Sequence, residues 1–219
     1  MPPLAVIFDV DGVLVDSYRA HFASWRQLYG ELGIDYCEDA FAADFGRTSR
    51  DILRRTLGEE LSDPQIRELD ERKEALFRDI LGKEFPPMEG AVELIDGLIA
   101  HGFVLAVGSS APRENICLSL EKLGRAKKFS ALVAGADVTR GKPDPQVFQL
   151  AAERLGIPAA SCAVIEDAVH GVEAARRAGM KSIALTGTAT RDELREADMV
   201  VDRLDELRPE AVENLIERR

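Results

Sequence analysis

Short and almost unbroken runs of hydrophobic residues recur along this chain, and the longer segments between them carry hydrophobic residues at helical spacing. The runs occupy residues 4–8, 103–107, 131–134, 162–165 and 182–185. Runs of this length without polar alternation are typical of strands that are buried on both faces of a parallel sheet. The pattern therefore predicts parallel strands at these positions.

A glycine follows each predicted helix in the second half of the chain. The helices are expected at 91–101, 113–123, 147–155 and 169–178, and they stop at Gly102, Gly124, Gly156 and Gly179. Glycine is a common helix stop because it adopts the left-handed conformation without strain. The regular alternation of strands and helices indicates the α/β class, with a doubly wound, Rossmann-like parallel sheet.

Residues 16–85 interrupt this alternation, since they contain no strand-like run. Capping signals instead indicate several helices, beginning after Ser17, Thr48 and Ser62. A helical stretch of this length is too long for a simple crossover between two strands. The sequence therefore predicts an α/β core made of residues 1–15 and 86–219, with an inserted α-helical subdomain at 16–85.

Composition and charge exclude several classes of protein. With 219 residues, of which 46% are hydrophobic, the chain is long enough to bury a sizeable core. Its net charge of -11 argues against a nucleic-acid partner, because phosphate groups would be repelled. No hydrophobic run approaches the length of a membrane span, so no membrane partner is expected. We expect a monomer or a weak homo-oligomer.

The first residues and the cysteines favour a cytoplasmic location. The start of the chain lacks the basic segment, the long apolar run and the cleavage site of a signal peptide. Cys37, Cys117 and Cys162 lie far apart in the sequence and form no CxxC pair. This spacing predicts reduced thiols rather than disulfides or a zinc site.

Polar residues follow the predicted strands at the ends where open α/β sheets bind ligands. They are Asp9 and Asp11 after the first strand, Ser109 and Ser110 after the second, Lys142 after the third, and Glu166 and Asp167 after the fourth. The first pair on its own would also suit a polar turn. Because parallel strands direct all these groups to one edge of the sheet, the recurrence predicts a site there instead.

The charges gathered at this edge indicate a cation. Four carboxylates with one lysine would raise one another's pKa values unless a cation lay among them. Carboxylate and carbonyl oxygens in a small site suit Mg²⁺. A phosphoryl group would then be held by the metal, Lys142, Ser109 and backbone N–H groups. One of the two aspartates after the first strand would attack phosphorus, and the other would transfer protons.

Together these motifs resemble those of the haloacid dehalogenase superfamily of phosphohydrolases. The matching residues are Asp9-Val10-Asp11-Gly12 followed by Asp16-Ser17, Ser109 after an apolar strand, Lys142 in Gly141-Lys142-Pro143-Asp144-Pro145, and Glu166-Asp167 followed by Ala168-Val169-His170-Gly171. The resemblance spans essentially the whole chain. It implies that Asp9 is the nucleophile, that Asp11 is the general acid and base, and that Ser109 and Lys142 complete the catalytic set.

The resemblance also implies a metal and a type of insertion. Mg²⁺ would be bound by Asp9, the backbone carbonyl of Asp11, Glu166 and Asp167. The inserted subdomain is similar to the helical cap of the phosphoglycolate phosphatases and β-phosphoglucomutases. In similar caps the turn at 45–51 reaches over the active site, which implies that the cap contributes to substrate binding.

Basic residues in the insertion are candidates for substrate binding. Arg47, Arg50 and Arg54 are close enough in sequence for two guanidinium groups to share a face and hold a second anionic group of the substrate. The alternative is a solvated basic face paired with Asp51. Lys73 resembles a substrate-facing lysine of the mutase branch, and the alternative there is a charged helix exterior.

His21 and Ser110 complete the predicted substrate-binding set. His21 lies in the string His21-Phe22-Ala23-Ser24-Trp25, which resembles the mutase branch, where this histidine assists near the acid and base. The alternative is a histidine half-buried in the packing of the insertion. Ser110 directly follows the motif serine.

Two other classes of protein share some of these residues. A phospho-accepting receiver domain also has clustered aspartates, but it is shorter than this chain and its phosphorylated aspartate does not follow the first strand. A true dehalogenase needs Asp9 but no metal, which would leave Asp11 and the Glu166-Asp167 pair without a role. A metal-dependent phosphoryl-transfer enzyme therefore fits better.

The remaining choice lies between a phosphatase and a sugar-phosphate mutase. The histidine string and the Arg72-Lys73 pair favour a mutase. Mutases resemble one another in a Ser-x-Ser-x-Asn pattern, whereas this chain reads Ser109-Ser110-Ala111-Pro112-Arg113. The sequence thus predicts a Mg²⁺-dependent phosphatase that hydrolyses a small phosphorylated metabolite, such as a sugar phosphate or a phosphoglycolate-like compound, through a phospho-aspartate. The alternative is a β-phosphoglucomutase-type mutase.

Overall fold

A computed structural model describes residues 3–44 and 47–218, and the chain divides into two compact units. The core unit comprises Met1–Asp16 and Pro86–Arg219, and the helical unit comprises Ser17–Phe85. Asp16, which the sequence analysis assigned to the insertion, belongs to the core unit. Its N–H donates to the carbonyl oxygen of Pro86 over 3.0 Å, beside an antiparallel bridge between Val15 and Pro87.

The core unit contains one sheet in which all neighbouring strands are parallel. Its strands are β1 (Ala5–Phe8), β2 (Val104–Gly108), β3 (Phe129–Val133), β4 (Cys162–Glu166), β5 (Lys181–Leu185) and β6 (Met199–Val201), in the order β3-β2-β1-β4-β5-β6. The predicted doubly wound α/β fold and the predicted strands are confirmed. The sequence analysis missed β6, because this strand has only three residues, two of them partly exposed.

Nine α-helices are assigned among the described residues. They are α1 (Tyr18–Glu31), α2 (Glu38–Asp44), α3 (Ser49–Leu57), α4 (Asp63–Lys83), α5 (Ala91–His101), α6 (Arg113–Lys122), α7 (Gln146–Leu155), α8 (Val169–Arg177) and α9 (Pro209–Glu217). As predicted, α5 and α7 end at Gly102 and Gly156, both with positive φ. None of the described helices combines the length and the apolar character needed to cross a membrane.

Hydrophobic side chains of the sheet and its helices form the core. Ala5 and Ile7 on one face of β1 pack with Val147, Phe148 and other buried residues of α7 and α8. Since successive residues of a strand point to opposite faces, the alternate residues of β1 face the other side, and these are also fully buried. Burial on both faces explains why the strands read as unbroken hydrophobic runs.

The helical unit has a separate hydrophobic cluster of its own. Trp25 and Tyr29 of α1 pack there with Phe41 of α2, Leu53 of α3 and Leu76 of α4. The predicted capping signals at the starts of α3 and α4 are present. The Thr48 hydroxyl accepts the N–H of Asp51, and the Ser62 side chain forms a capping box with Gln65. Ser17 precedes α1 without a side-chain cap, and α2 was not predicted because it is short.

Candidate active site

The site begins where β1 and β2 end side by side. Hydrogen bonding of the sheet continues past both strands, because the N–H of Asp9 donates to Ile165 and that of Ser109 donates to Val133, each over 3.0 Å. These bonds fix both side chains at the carboxyl edge of the sheet. Both residues are buried, and the Ser109 hydroxyl lowers the pKa of the Asp9 carboxyl, against the larger effect of burial.

Lys142 brings a buried positive charge to this pair of residues. Its Nζ lies 3.2 Å from Oδ1 of Asp9, is ion-paired with Oε1 of Glu166, and sits 5.0 Å from the centre of the Phe148 ring. Burial alone would lower the pKa of Lys142, but the two carboxylates outweigh it and raise that pKa above its usual range. Lys142 is therefore a permanent cation that holds two carboxylates in place.

Glu166 is held from several sides. Its Oε2 accepts the N–H groups of Asp167 and Ala168 at 2.9 and 3.0 Å, while Oε1 faces Lys142. A Cβ on Gly171, in the first turn of α8, would lie only 1.9 Å from Cδ of Glu166. Because Gly171 has no side chain, the Glu166 carboxylate can occupy this space.

The Asp167 carboxylate also packs against a glycine, in this case Gly12 in the turn after β1. A Cβ on Gly12 would lie 1.9 Å from Oδ2 of Asp167 and 3.1 Å from Oγ1 of Thr188, and Gly12 has a φ of 75° that favours glycine. The Thr188 hydroxyl lies beside the same position and lowers the pKa of the Asp167 carboxyl, against the larger effect of burial. Thus Gly12 leaves room for Asp167, and Thr188 contacts it from the segment after β5.

The site carries more negative charge than Lys142 compensates. Burial raises the pKa of Asp9 to about 6, against the lowering effect of Lys142. Burial, reinforced by the charges of Glu166 and Asp9, raises the pKa of Asp167 well above its usual range. Carboxylate groups with such pKa values are poorly stabilised in their ionised forms, and a cation placed among them would stabilise those forms.

The residues present fit a divalent metal ion. One carboxylate oxygen from each of Asp9, Glu166 and Asp167 lies within 4.8 Å of the others. Three converging oxygen donors match the preference of Mg²⁺, and the bare backbone at Gly12 and Gly171 leaves space for two of the three carboxylates. The carboxylate of Asp11 lies outside this group. Asp11 sits in the turn after β1, where its backbone bridges to Val15.

The structure brings together two predicted substrate-binding residues of the helical unit. Nζ of Lys73 lies 2.9 Å from Nδ1 of His21 and 2.7 Å from Oε1 of Glu74. The Lys73 side chain is only 3% exposed and lies near the rings of Trp25 and Phe77. The alternative of a charged helix exterior is therefore wrong for Lys73, although its neighbour Arg72 is exposed.

The predicted arginines have acidic partners, but not the expected one. Arg50 pairs with Asp63 at 2.6 Å, and Arg47 lies 3.8 Å from Asp44. The expected alternative partner, Asp51, instead accepts a hydrogen bond from Thr48. Both arginines are exposed, and the predicted loop residues Phe45 and Gly46 lie outside the described residues.

Two neighbouring serines after β2 have different environments. Ser109 is buried, whereas Ser110 is exposed. The carbonyl oxygen of Ser110 lies so close to Gly135 that a Cβ there would be 2.3 Å away. The structure thus brings Ser109 to Asp9 and leaves the Ser110 side chain at the surface.

Thr188 and the spatial role of Gly171 were not predicted from the sequence. Thr188 belongs to no recognised motif, and its segment precedes the strand that was not predicted. Gly171 follows the acidic pair at helical distance, but its contact with Glu166 depends on how α8 returns to the sheet. A glycine near the start of a predicted helix was the one signal available in the sequence.

Comparison with known proteins gives a consistent result. The model of the family described as haloacid dehalogenase-like hydrolase matches residues 6–185. A phosphorylated carbohydrates phosphatase of Thermotoga maritima is 34% identical over 82% of this chain and 83% of its own length. A β-phosphoglucomutase of Bacillus subtilis is 30% identical over 93% of this chain and 91% of its own length. Among solved structures, a β-phosphoglucomutase of Clostridium difficile superimposes with a TM-score of 0.85, at 24% identity and with 98% of this chain and 97% of that chain covered.

Proposed function

Because this chain belongs to the haloacid dehalogenase-like hydrolase family, we propose that it is a Mg²⁺-dependent phosphatase that hydrolyses monophosphates of small carbohydrates. The observation that carries this proposal is the cluster of three buried carboxylates with Lys142 and Ser109 at the carboxyl edge of one sheet. The similar phosphatase of phosphorylated carbohydrates supports the substrate class.

Asp9 is proposed as the nucleophile. A carboxylate oxygen of Asp9 would attack phosphorus, forming a phospho-aspartate as the bond from phosphorus to the sugar oxygen breaks. Lys142, which contacts this carboxylate, and the neighbouring Ser109 would orient it and hold the phosphoryl oxygens. Mg²⁺, when bound by Asp9, the backbone carbonyl of Asp11, Glu166 and Asp167, would neutralise the three carboxylates and stabilise charge on the phosphoryl group.

Asp11 is proposed to move the protons. It would give a proton to the sugar oxygen as that oxygen leaves, and would then take a proton from a water molecule. This water would attack phosphorus, releasing inorganic phosphate and restoring the Asp9 carboxylate. The turn that contains Asp11 is fixed by backbone contacts to Val15, so the carboxyl group projects from a rigid loop.

Residues of the helical unit and Ser110 are proposed to bind the rest of the substrate. His21 and Lys73 contact each other, and Lys73 is also neutralised by Glu74. This pairing favours hydrogen bonding to sugar hydroxyls over binding of a second phosphate. Arg47 and Arg50 are exposed, and their guanidinium groups would form ion pairs with a second anionic group of a substrate that carries one.

A β-phosphoglucomutase-type reaction is the second candidate, favoured by the His21–Lys73 contact and by the similar mutase of Bacillus subtilis. We expect the protein to release inorganic phosphate from hexose or smaller monophosphates and to convert little β-glucose 1-phosphate into glucose 6-phosphate. The residues after Ser109 lack a serine and an asparagine that would seat a second phosphate. Each lost hydrogen bond to a charged group weakens binding by about 1.5–3 kcal/mol.

One experiment separates the two reactions. Phosphate release is measured across a panel of phosphorylated metabolites, with and without Mg²⁺. In parallel, glucose 6-phosphate formation is followed with a coupled dehydrogenase, after priming with a trace of glucose 1,6-bisphosphate. Isomerisation at least about tenfold faster than phosphate release, a difference of about 1.4 kcal/mol in barrier, would establish the mutase instead. No turnover of any compound would overturn both.

Binding of Mg²⁺ is expected to weaken as the pH falls below about 6. In the metal-free protein Asp9 has a pKa of about 6, so protons compete with the metal for this carboxylate at lower pH. The proton on Asp9 alone should raise the apparent Kd about tenfold between pH 7 and pH 5, and the raised pKa of Asp167 adds to this rise. Titration calorimetry at pH 5, 6 and 7, in two buffers with different ionisation enthalpies, measures both the Kd and the proton release. A Kd that is constant over this range would contradict the expectation.

A further inference from the structure

Thr188 lies in a loop after β5 that is fastened at both ends. Before it, the N–H of Thr186 donates to Val201 over 3.0 Å, and the Thr186 hydroxyl donates to Asp202 over 2.9 Å. After it, the backbone N–H of Thr190 donates to the Glu193 carboxylate over 2.8 Å. A loop anchored on both sides holds a side chain between the anchors in a reproducible place.

The hydroxyl of Thr188 points into the space that Asp167 occupies. Both groups lie beside the Cα of Gly12, where a Cβ would be 1.9 Å from Oδ2 of Asp167 and 3.1 Å from Oγ1 of Thr188. The Thr188 hydroxyl and the Asp167 carboxylate therefore lie side by side at this position. Three separate parts of the chain therefore meet at one carboxylate.

The chemistry of the donor suits a metal ligand. A threonine hydroxyl has a single proton, so it occupies one lone pair of the carboxylate and leaves the others for an ion. It is also neutral, and therefore does not compete with a cation as a second lysine would. Groups that hydrogen-bond to metal ligands orient them, and replacing such groups typically weakens metal binding by about 10- to 100-fold.

We propose that Thr188 is a positioning residue that orients Asp167 for binding of a divalent metal ion. This inference rests on the proposed function, because it concerns the same metal site. Thr188 acts through Asp167 and does not touch the reacting atoms. Its loss therefore weakens metal binding first and turnover as a consequence.

The test compares three variants by titration calorimetry with Mg²⁺ at pH 7.5. T188V removes the hydroxyl with little change of shape, and we expect it to weaken Mg²⁺ binding by about tenfold. T188S restores a hydroxyl and should bind Mg²⁺ within about threefold of the wild type. T190V is the matched control, since it removes a hydroxyl from the same loop whose partner is Glu193, and it should leave Mg²⁺ affinity unchanged.

Kinetics at increasing Mg²⁺ gives a second measurement. A positioning role predicts that excess Mg²⁺ returns the kcat of T188V towards that of the wild type. Equal Mg²⁺ affinity of T188V and the wild type would overturn the proposal, as would an equal loss in T190V, because the order of the loop would then be the cause. Absence of Mg²⁺ binding by the wild type would overturn the metal-dependent function together with this inference, and so is distinguishable from the other outcomes.

Discussion

Replacing Asp9 by asparagine is expected to reduce phosphate release by at least about 10³-fold. An amide is a poor nucleophile, so the covalent step is lost, and it is also a weaker ligand for Mg²⁺ than a carboxylate. The contact between Asp9 Oδ1 and Lys142 would be replaced by a neutral one. The loss should appear in kcat for every substrate of the panel, measured by release of inorganic phosphate.

The stability of the same variant distinguishes a catalytic role from a folding role. Burial raises the pKa of Asp9 to about 6, above its ordinary value, so ionisation of Asp9 destabilises the folded, metal-free protein as the pH rises through 6. At pH 7.5 without Mg²⁺, D9N should therefore be at least as stable as the wild type. D96N, which changes an exposed aspartate paired with Arg125, is the control and should retain turnover. Near wild-type turnover of D9N would show that Asp9 is not the nucleophile.

Replacing Gly171 by alanine is expected to damage both stability and activity. The new Cβ would lie 1.9 Å from Cδ of Glu166, which is 1% exposed and held by Lys142 and two N–H groups. Moving this carboxylate breaks a buried ion pair, which costs about 3–5 kcal/mol and exceeds the gain of about 1 kcal/mol that alanine brings to a helix. Displacement of Lys142 should also lower kcat by about 10²-fold.

Chemical denaturation and phosphate release measure the two effects of G171A. Gly97, in the middle of α5, provides the matched control, since a Cβ there would make only an ordinary contact 3.6 Å from Pro209. G97A should be neutral or slightly stabilising, as glycine is unfavourable inside a helix. If G171A is as stable and active as G97A, the contact between Gly171 and Glu166 does not shape the site.

The strands and the helices of the core were predictable because their sequence signals are local. β1, β2, β4 and β5 have buried residues on both faces, and every strand from β1 to β5 is long enough to leave a hydrophobic run. β6 has three residues at the edge of the sheet and leaves no such run. Asp16 was misplaced because its assignment depends on a hydrogen bond to Pro86, a residue far away in sequence.

The convergence of charged residues was predictable from the geometry of parallel strands. Asp9 and Ser109 follow β1 and β2, and Glu166 is the last residue of β4. These three strands are neighbours in the sheet, so the positions of the residues follow from strand order. The residues that surround these charged side chains were not predictable from strand order. Thr188 reaches Asp167 only after β5 and its loop are in place, and the burial of Lys73 depends on rings contributed by two different helices.

The connection at Asp16 and Pro86 bears on how such enzymes diversify. The chain leaves the core unit and rejoins it at two hydrogen-bonded neighbours, so the core closes on itself whatever lies between them. The entropy of closing a loop grows slowly with its length, by about 0.6 kcal/mol for each doubling. A longer, shorter or unrelated insertion can therefore replace residues 17–85 at little cost to the core. Evolution can therefore exchange the helical unit while the core unit and its cluster of charged residues are inherited unchanged.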